Sequence, residues 1–158
     1  MLYHAETSGI DVGTGPCGPR TAMQARDRVR TLLESSGVVR AGGSAGGEAV
    51  LTDALLVTSE LVTNAIRHGG GLLGFDASLC AGGAGLRIAV SDATRIAPPN
   101  PPARTAGAAS GQGGFGWPLV HSLTRSVTIT PDACGGKRIE VVVPLERAAD
   151  PQVDPRRF

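Results

Sequence analysis

Between Gly46-Gly47 and Gly69-Gly70-Gly71 the chain runs through EAVLTDALLVTSELVTNAIRH without a glycine or a proline. In a chain carrying 23 glycines and 11 prolines, that uninterrupted stretch constrains the fold most. Its length and apolar spacing predict one long helix over residues 48–68, stopped by the three glycines. At about 100° per residue, Leu51, Leu55, Thr58, Val62, Ala65 and Ile66 fall on one side, which is expected to pack on a sheet. Glu60, Asn64, Arg67 and His68 fall roughly opposite, with Asp53 one or two turns earlier. A polar helix face is ordinarily a solvated one. An acid, an amide and a cation in one row beside glycine loops have a second reading, because together they can hold a phosphate and its metal. Mg²⁺ takes oxygen ligands and keeps several waters, so an Asn oxygen plus phosphate oxygens suits it. A carboxylate one turn away can take a proton from an attacking hydroxyl or water.

The flanking segments supply a sheet for this helix. TAMQARDRVRTLLESSG predicts an earlier helix over 21–37, with Ala22, Ala25, Val29, Leu32 and Leu33 at helical spacing and Gly37 as C-cap. LLGFDASL (72–79) and LRIAVSD (86–92) read as strands joined by AGGAG. Residues 93–112, rich in Pro, Ala, Gly and Ser, are long for a connection and read as a functional loop or lid. GGFGWPLVHSLT (113–124) runs from a glycine turn into a short helix. SVTIT (126–130) and KRIEVVVPL (137–145) are strands around PDACGG. Helices set apart from strands with short turns predict an α+β fold. Its form is a two-layer α/β sandwich: a mixed, mostly antiparallel sheet with helices on one face. One domain is expected over 20–145, with 1–19 a tail or edge strand and 146–158 a disordered tail.

Composition narrows the function. The formal net charge is +1, from 15 basic and 14 acidic residues, which argues against direct nucleic-acid binding. No run of 18 apolar residues exists, so no membrane span is expected. The N-terminus has neither the charged region nor the apolar core of a secretory signal. Cys17, Cys80 and Cys134 are scattered and odd in number, as in a reduced cytoplasmic protein. Gly111, Gly113 and Gly116 spell GxGxxG, but a Pro- and Ala-rich loop precedes them where the dinucleotide fingerprint needs a strand. His4, His68 and His121 form no metal spacing with the cysteines.

Three blocks in order carry a resemblance: SELVTNAIRHG on the long helix, LRIAVSDA as an apolar strand ending in an acid, and GQGGFGWPLVHSL as a glycine loop opening a helix. With AR..VR..L before them and GGKRIEVVVPL after, the chain resembles the histidine-kinase-like ATPases. More narrowly it resembles the small anti-sigma-factor serine-protein kinases of actinobacterial type, over roughly residues 20–145. The resemblance implies the Bergerat ATP-binding fold, with ATP and Mg²⁺ as ligands. It implies Glu60 as general base, Asn64 as the Mg²⁺ ligand bridging the phosphates, and Arg67 as a cation beside them. Asp92 would accept a hydrogen bond from the adenine amino group, with Thr94 beside it. The amides of Gly113, Gly114 and Gly116 would approach the phosphates at a helix N-terminus, with Leu119 also against the nucleotide. Residues 95–112 would form the lid.

The implied function is phosphorylation of a Ser or Thr on an antagonist protein, together with sequestration of a sigma factor. The alternative is a protein-binding module, nucleotide-gated or nucleotide-independent, without kinase activity; a third reading is an ATPase without a protein acceptor. Relatives often dimerise, so a homodimer is compatible with it. The chain departs from the family in three places. Ala93 and Thr94 follow Asp92 where relatives have x-Gly, which is expected to reshape the adenine pocket. Lys137 and Arg138 follow the last glycine pair where a Thr is usual. Phe115, Trp117 and Pro118 occupy the glycine loop, and Trp117 is expected at a lid hinge facing nucleotide or partner.

Overall fold

The computed structural model describes residues 18–39, 45–98, 116–133 and 135–146. Helix α1 spans Ala22–Ser35, and Thr21 caps it: its backbone is extended and its Oγ1 accepts from the Gln24 amide at 3.2 Å. Gln24 reaches back to accept from the Arg20 amide at 2.8 Å, so two N-terminal amides find side-chain acceptors. Ala25, Val29 and Leu33 form its buried stripe. The helix ends at Gly37, whose φ of 73° suits a residue without Cβ.

Helix α2 spans Ala45–His68 and begins three residues before the expected start, taking in Gly46 and Gly47. In the first turn, where helix amides lack intrahelical partners anyway, glycine weakens a helix little. Its buried residues are Val50, Ala54, Val57, Thr58, Leu61, Val62 and Ala65. The buried arc is therefore rotated by roughly 60° from the expected face, toward Val57 and Leu61. Ile66, expected in the core, is 45% exposed. The rotation also corrects the place of the polar row. Glu60 and Asn64 are half-buried on the flank of the apolar arc rather than opposite it. By length and composition Gly46–His68 could cross a bilayer, with a mean hydropathy of 1.4, which the search for an unbroken apolar run passes over. In this fold its apolar arc packs on the sheet and on α1.

Four strands form one sheet: β1 (Leu72–Leu79), β2 (Gly85–Asp92), β3 (Ser126–Pro131) and β4 (Lys137–Pro144), in the order β1-β2-β4-β3. All three pairings are antiparallel, and the expected α+β two-layer class holds. Helix α3 (Gly116–Leu123) precedes β3, and the chain then returns to place β4 between β2 and β3. Period-two alternation sends Leu86, Ile88 and Val90 of β2 and Ile139, Val141 and Val143 of β4 inward, where they meet the helices. The opposite face is polar: Arg138 pairs with Asp76 at 3.4 Å and Arg87 with Glu140 at 3.6 Å.

Trp117, expected to face nucleotide or partner, turns into the core. It is 8% exposed, part of the core, with its ring edge-on to His121 at 5.2 Å between centroids. Trp117 and Val120 are the buried residues of this eight-residue helix, and α3 packs against α2.

Candidate functional site

Helix α2 is the floor of the candidate site, and its two ends are marked by glycines pressed against acids. At one end, α3 begins at Gly116, and its backbone lies against Glu60. A Cβ built on Gly116 would fall on Glu60 Oε2. The glycine there is a matter of space, since nothing larger admits the carboxylate to the first turn of α3. At the other end, α2 unwinds through Gly69, whose amide donates to the carbonyls of Asn64 and Ala65 at 3.0 and 3.1 Å. The carbonyl of Gly69 accepts from the Ala93 amide at 2.8 Å, which ties the exit of β2 to the end of α2. A Cβ on Gly69 would lie 2.6 Å from Cγ and Oδ2 of Asp92. Nine residues of helix separate Glu60 from Gly69, or about 13 Å. Asn64 sits between them, one turn from Glu60.

Neither Glu60 nor Asn64 makes a side-chain hydrogen bond with another described residue. Their neighbours on the helix are held from behind: Arg26 of α1 donates to Ser59 Oγ at 3.1 Å, and Ser59 donates to the Leu55 carbonyl at 2.8 Å. Arg67 and His68 are exposed in the last turn of α2. Glu60 thus lies against Gly116, with Asn64 one turn further along α2. Leu119 is half-buried on α3, three residues on from Gly116. Gly113, Gly114 and residues 99–112 of the expected lid lie outside the described residues. Of the lid's start, Arg95 donates from Nε to the Gly135 carbonyl at 2.9 Å.

Asp92 differs from an open acceptor. Its carboxylate is buried and bound by Lys137, whose Nζ lies 2.8 Å from Oδ2 and 2.9 Å from Oδ1. Thr94 completes the knot: its amide donates to Asp92 Oδ1 at 3.1 Å, and its carbonyl accepts from Lys137 Nζ at 3.4 Å. Thr94 therefore contributes backbone to this corner, while its hydroxyl oxygen accepts from the Ile96 amide at 3.2 Å. Gly136 is equally constrained, since a Cβ there would overlap the Asp92 carbonyl. Lys137, Gly69 and Gly136 were not picked out as site residues from the sequence. The available signal was strand parity, because Lys137 shares its face with Ile139, Val141 and Val143.

No group of three or more His, Cys, Asp or Glu among the described residues could cage a metal by itself. The donor chemistry instead fits a cation shared with phosphate: an Asn oxygen without a partner among the described residues, at a half-buried position, with a carboxylate one turn away. Two concavities among the described residues lie elsewhere. One, of about 600 Å³, opens on the polar sheet face at Leu73, Ser91 and Arg138. The other, of about 310 Å³, lies between Trp117, His121, Ile129 and Pro98.

The family model described as a histidine kinase-like ATPase domain matches residues 20–142. Among solved structures, the chain is similar to the blue-light activated histidine kinase of Erythrobacter litoralis EL346. The identity is 25% and the TM-score 0.41, over 63% of this chain and 33% of that one. It is also similar to the histidine kinase domain from that enzyme, at 16% identity and a TM-score of 0.46, over 84% of this chain and 66% of that one. The chain thus spans about a third of the first structure and about two thirds of the second. No curated protein matches it.

Proposed function

The chain belongs to the histidine kinase-like ATPase domain family, whose members bind ATP, typically with Mg²⁺, and we propose that it works as a protein kinase of the anti-sigma type. In this reading it transfers a phosphoryl group from ATP to a Ser or Thr of a small antagonist protein, and it sequesters a sigma factor. The observation that carries the reading is the Glu60–Asn64 pair on the flank of α2, unpartnered among the described residues, with Gly116 cut back to a bare backbone beside the acid.

Each residue has a chemical task. The attacking hydroxyl oxygen forms a bond to the γ-phosphorus as the bond to the β–γ bridging oxygen breaks, and Glu60 accepts the hydroxyl proton. The amide of Gly116 opens α3 and offers a donor to phosphate oxygens where the helix dipole favours an anion. Asn64 offers its side-chain oxygen as one ligand of Mg²⁺, which neutralises phosphate charge when bound. Arg67, three residues beyond Asn64, adds positive charge on the same flank. Positioning and electrostatics carry most of such a transfer.

The test is a calorimetric titration of Mg²⁺-ATP into wild type and Asn64→Ala. Saturable heat is expected in wild type, weakened about tenfold or more in the variant. Glu60→Gln should bind nucleotide but lose transfer to the antagonist. Absence of heat from folded wild type would sink the kinase reading. The domain would then be a protein-binding module, recognisable by a stable sigma-factor or antagonist complex indifferent to nucleotide.

A further inference from the structure

Asp92 and Lys137 are the only buried ionisable residues among the described ones, and they stand directly opposite each other where β2 pairs with β4. Their side chains are 4% and 6% exposed. The ammonium has three protons and three acceptors: Oδ1 and Oδ2 of Asp92, and the Thr94 carbonyl. On the carboxylate, Oδ1 also accepts from the Thr94 amide. The side of Oδ2 toward α2 is closed by the backbone of Gly69, which leaves no room even for a methyl group. The Asp92 carboxylate beside the end of α2 is enclosed by its own protein.

We infer that Lys137 withdraws Asp92 from base recognition, so that the site selects a nucleoside triphosphate by its phosphates and does not select the 6-amino group of adenine. The inference rests on reading this flank of α2 as a nucleotide site, with phosphates at Glu60 and Asn64 and the base about 13 Å away at Gly69. An exocyclic amine is a neutral donor that offers the carboxylate a hydrogen bond, whereas Lys137 carries a full opposite charge and is already seated on both oxygens. A base that displaced Lys137 would also strand its ammonium in a buried position. Lys137 is thus a specificity-determining residue, acting by occupancy of the acceptor.

The experiment compares Mg²⁺-ATP with Mg²⁺-inosine triphosphate, which has a 6-oxo group in place of the 6-amino group. Wild type should bind both with Kd values within about threefold of each other. Lys137→Thr, which frees the carboxylate, should prefer ATP by about tenfold or more, the worth of one hydrogen bond to a charged acceptor. The wild-type comparison stands without the variant should Lys137→Thr fail to fold. A wild-type preference for ATP of tenfold or more overturns the inference while leaving the nucleotide site intact. A folded Lys137→Thr that gains no preference overturns it as well. Failure of folded wild type to bind either triphosphate removes the nucleotide reading itself, and the inference with it.

Discussion

Removing the Lys137 ammonium should cost this domain a large share of its stability, and the cost should vanish when Asp92 is neutralised at the same time. In Lys137→Met the Asp92 carboxylate stays in a buried place with one remaining donor, the Thr94 amide at 3.1 Å. Removing one partner of a buried ion pair costs about 3–5 kcal/mol, most of it the penalty of the stranded charge. Asp92→Asn strands the ammonium instead and belongs in the same range. The double variant Asp92→Asn/Lys137→Met contains no buried charge, and replacing a whole buried pair is often close to neutral. It should lie within about 1.5 kcal/mol of wild type. Domains of this size are stable by about 5–15 kcal/mol, so each single variant should lose roughly a fifth or more of the total. Their melting temperatures should fall by roughly 10–20 °C. Urea unfolding can be followed by circular dichroism and by the fluorescence of Trp117, the single tryptophan, buried in the core. A loss below about 1 kcal/mol in Lys137→Met, or a double variant equal to the sum of the singles, would refute the reasoning. Either result would mean that the pair is hydrated in solution.

Two further perturbations test other parts of the account. Gly136→Ala drives a Cβ into the Asp92 carbonyl, a backbone atom that cannot step aside, and should cost about 3 kcal/mol or more in a thermal melt. Gly116→Ala meets the flexible end of Glu60 instead, so stability should change by less than about 1 kcal/mol while phosphotransfer collapses; full retained activity would remove Glu60 from the chemistry. On α2, Leu61→Ala should cost about 2–5 kcal/mol in urea unfolding and Ile66→Ala less than about 1, because Leu61 is 1% exposed and Ile66 is 45% exposed. Equal costs would return the buried arc to the face first expected from the spacing.

How much of this was legible in the sequence depends on whether a feature is set locally. The strands and the short helix follow from short-range alternation and glycine punctuation, and β1 spans the residues 72–79 expected of it. Helix α2 was legible as a helix because its apolar spacing runs unbroken to the glycine stop at Gly69, but its buried face was not. Leu51, Leu55 and Ile66 are apolar enough to define a stripe on paper. Which arc is covered is decided by where the sheet and α1 lie, and those contacts are remote in sequence. The pairing of Glu60 with Gly116 joins segments more than fifty residues apart, and the resemblance, rather than any local pattern, brought them together.

Lys137 shows where the remaining information lay. In KRIEVVV the period of two assigns Lys137 to the face of Ile139, Val141 and Val143, so a lysine was due in the interior. A buried ammonium without a carboxylate is too costly to keep, so parity alone demanded an acid on the facing strand. LRIAVSD offers one: Leu86, Ile88, Val90 and Asp92 share a face, and Asp92 is its only carboxylate. The missing step was register. Nothing local to either strand says that β4 lies beside β2 rather than beside β1, or that Asp92 faces Lys137 rather than Ile139. A one-residue slip would turn Lys137 to the solvent side and a two-residue slip would move it off the acid. The buried pair therefore supplies more than charge: with the inward apolar residues it admits one alignment of β2 and β4, and the same ion pair that encloses the Asp92 carboxylate holds the sheet in register.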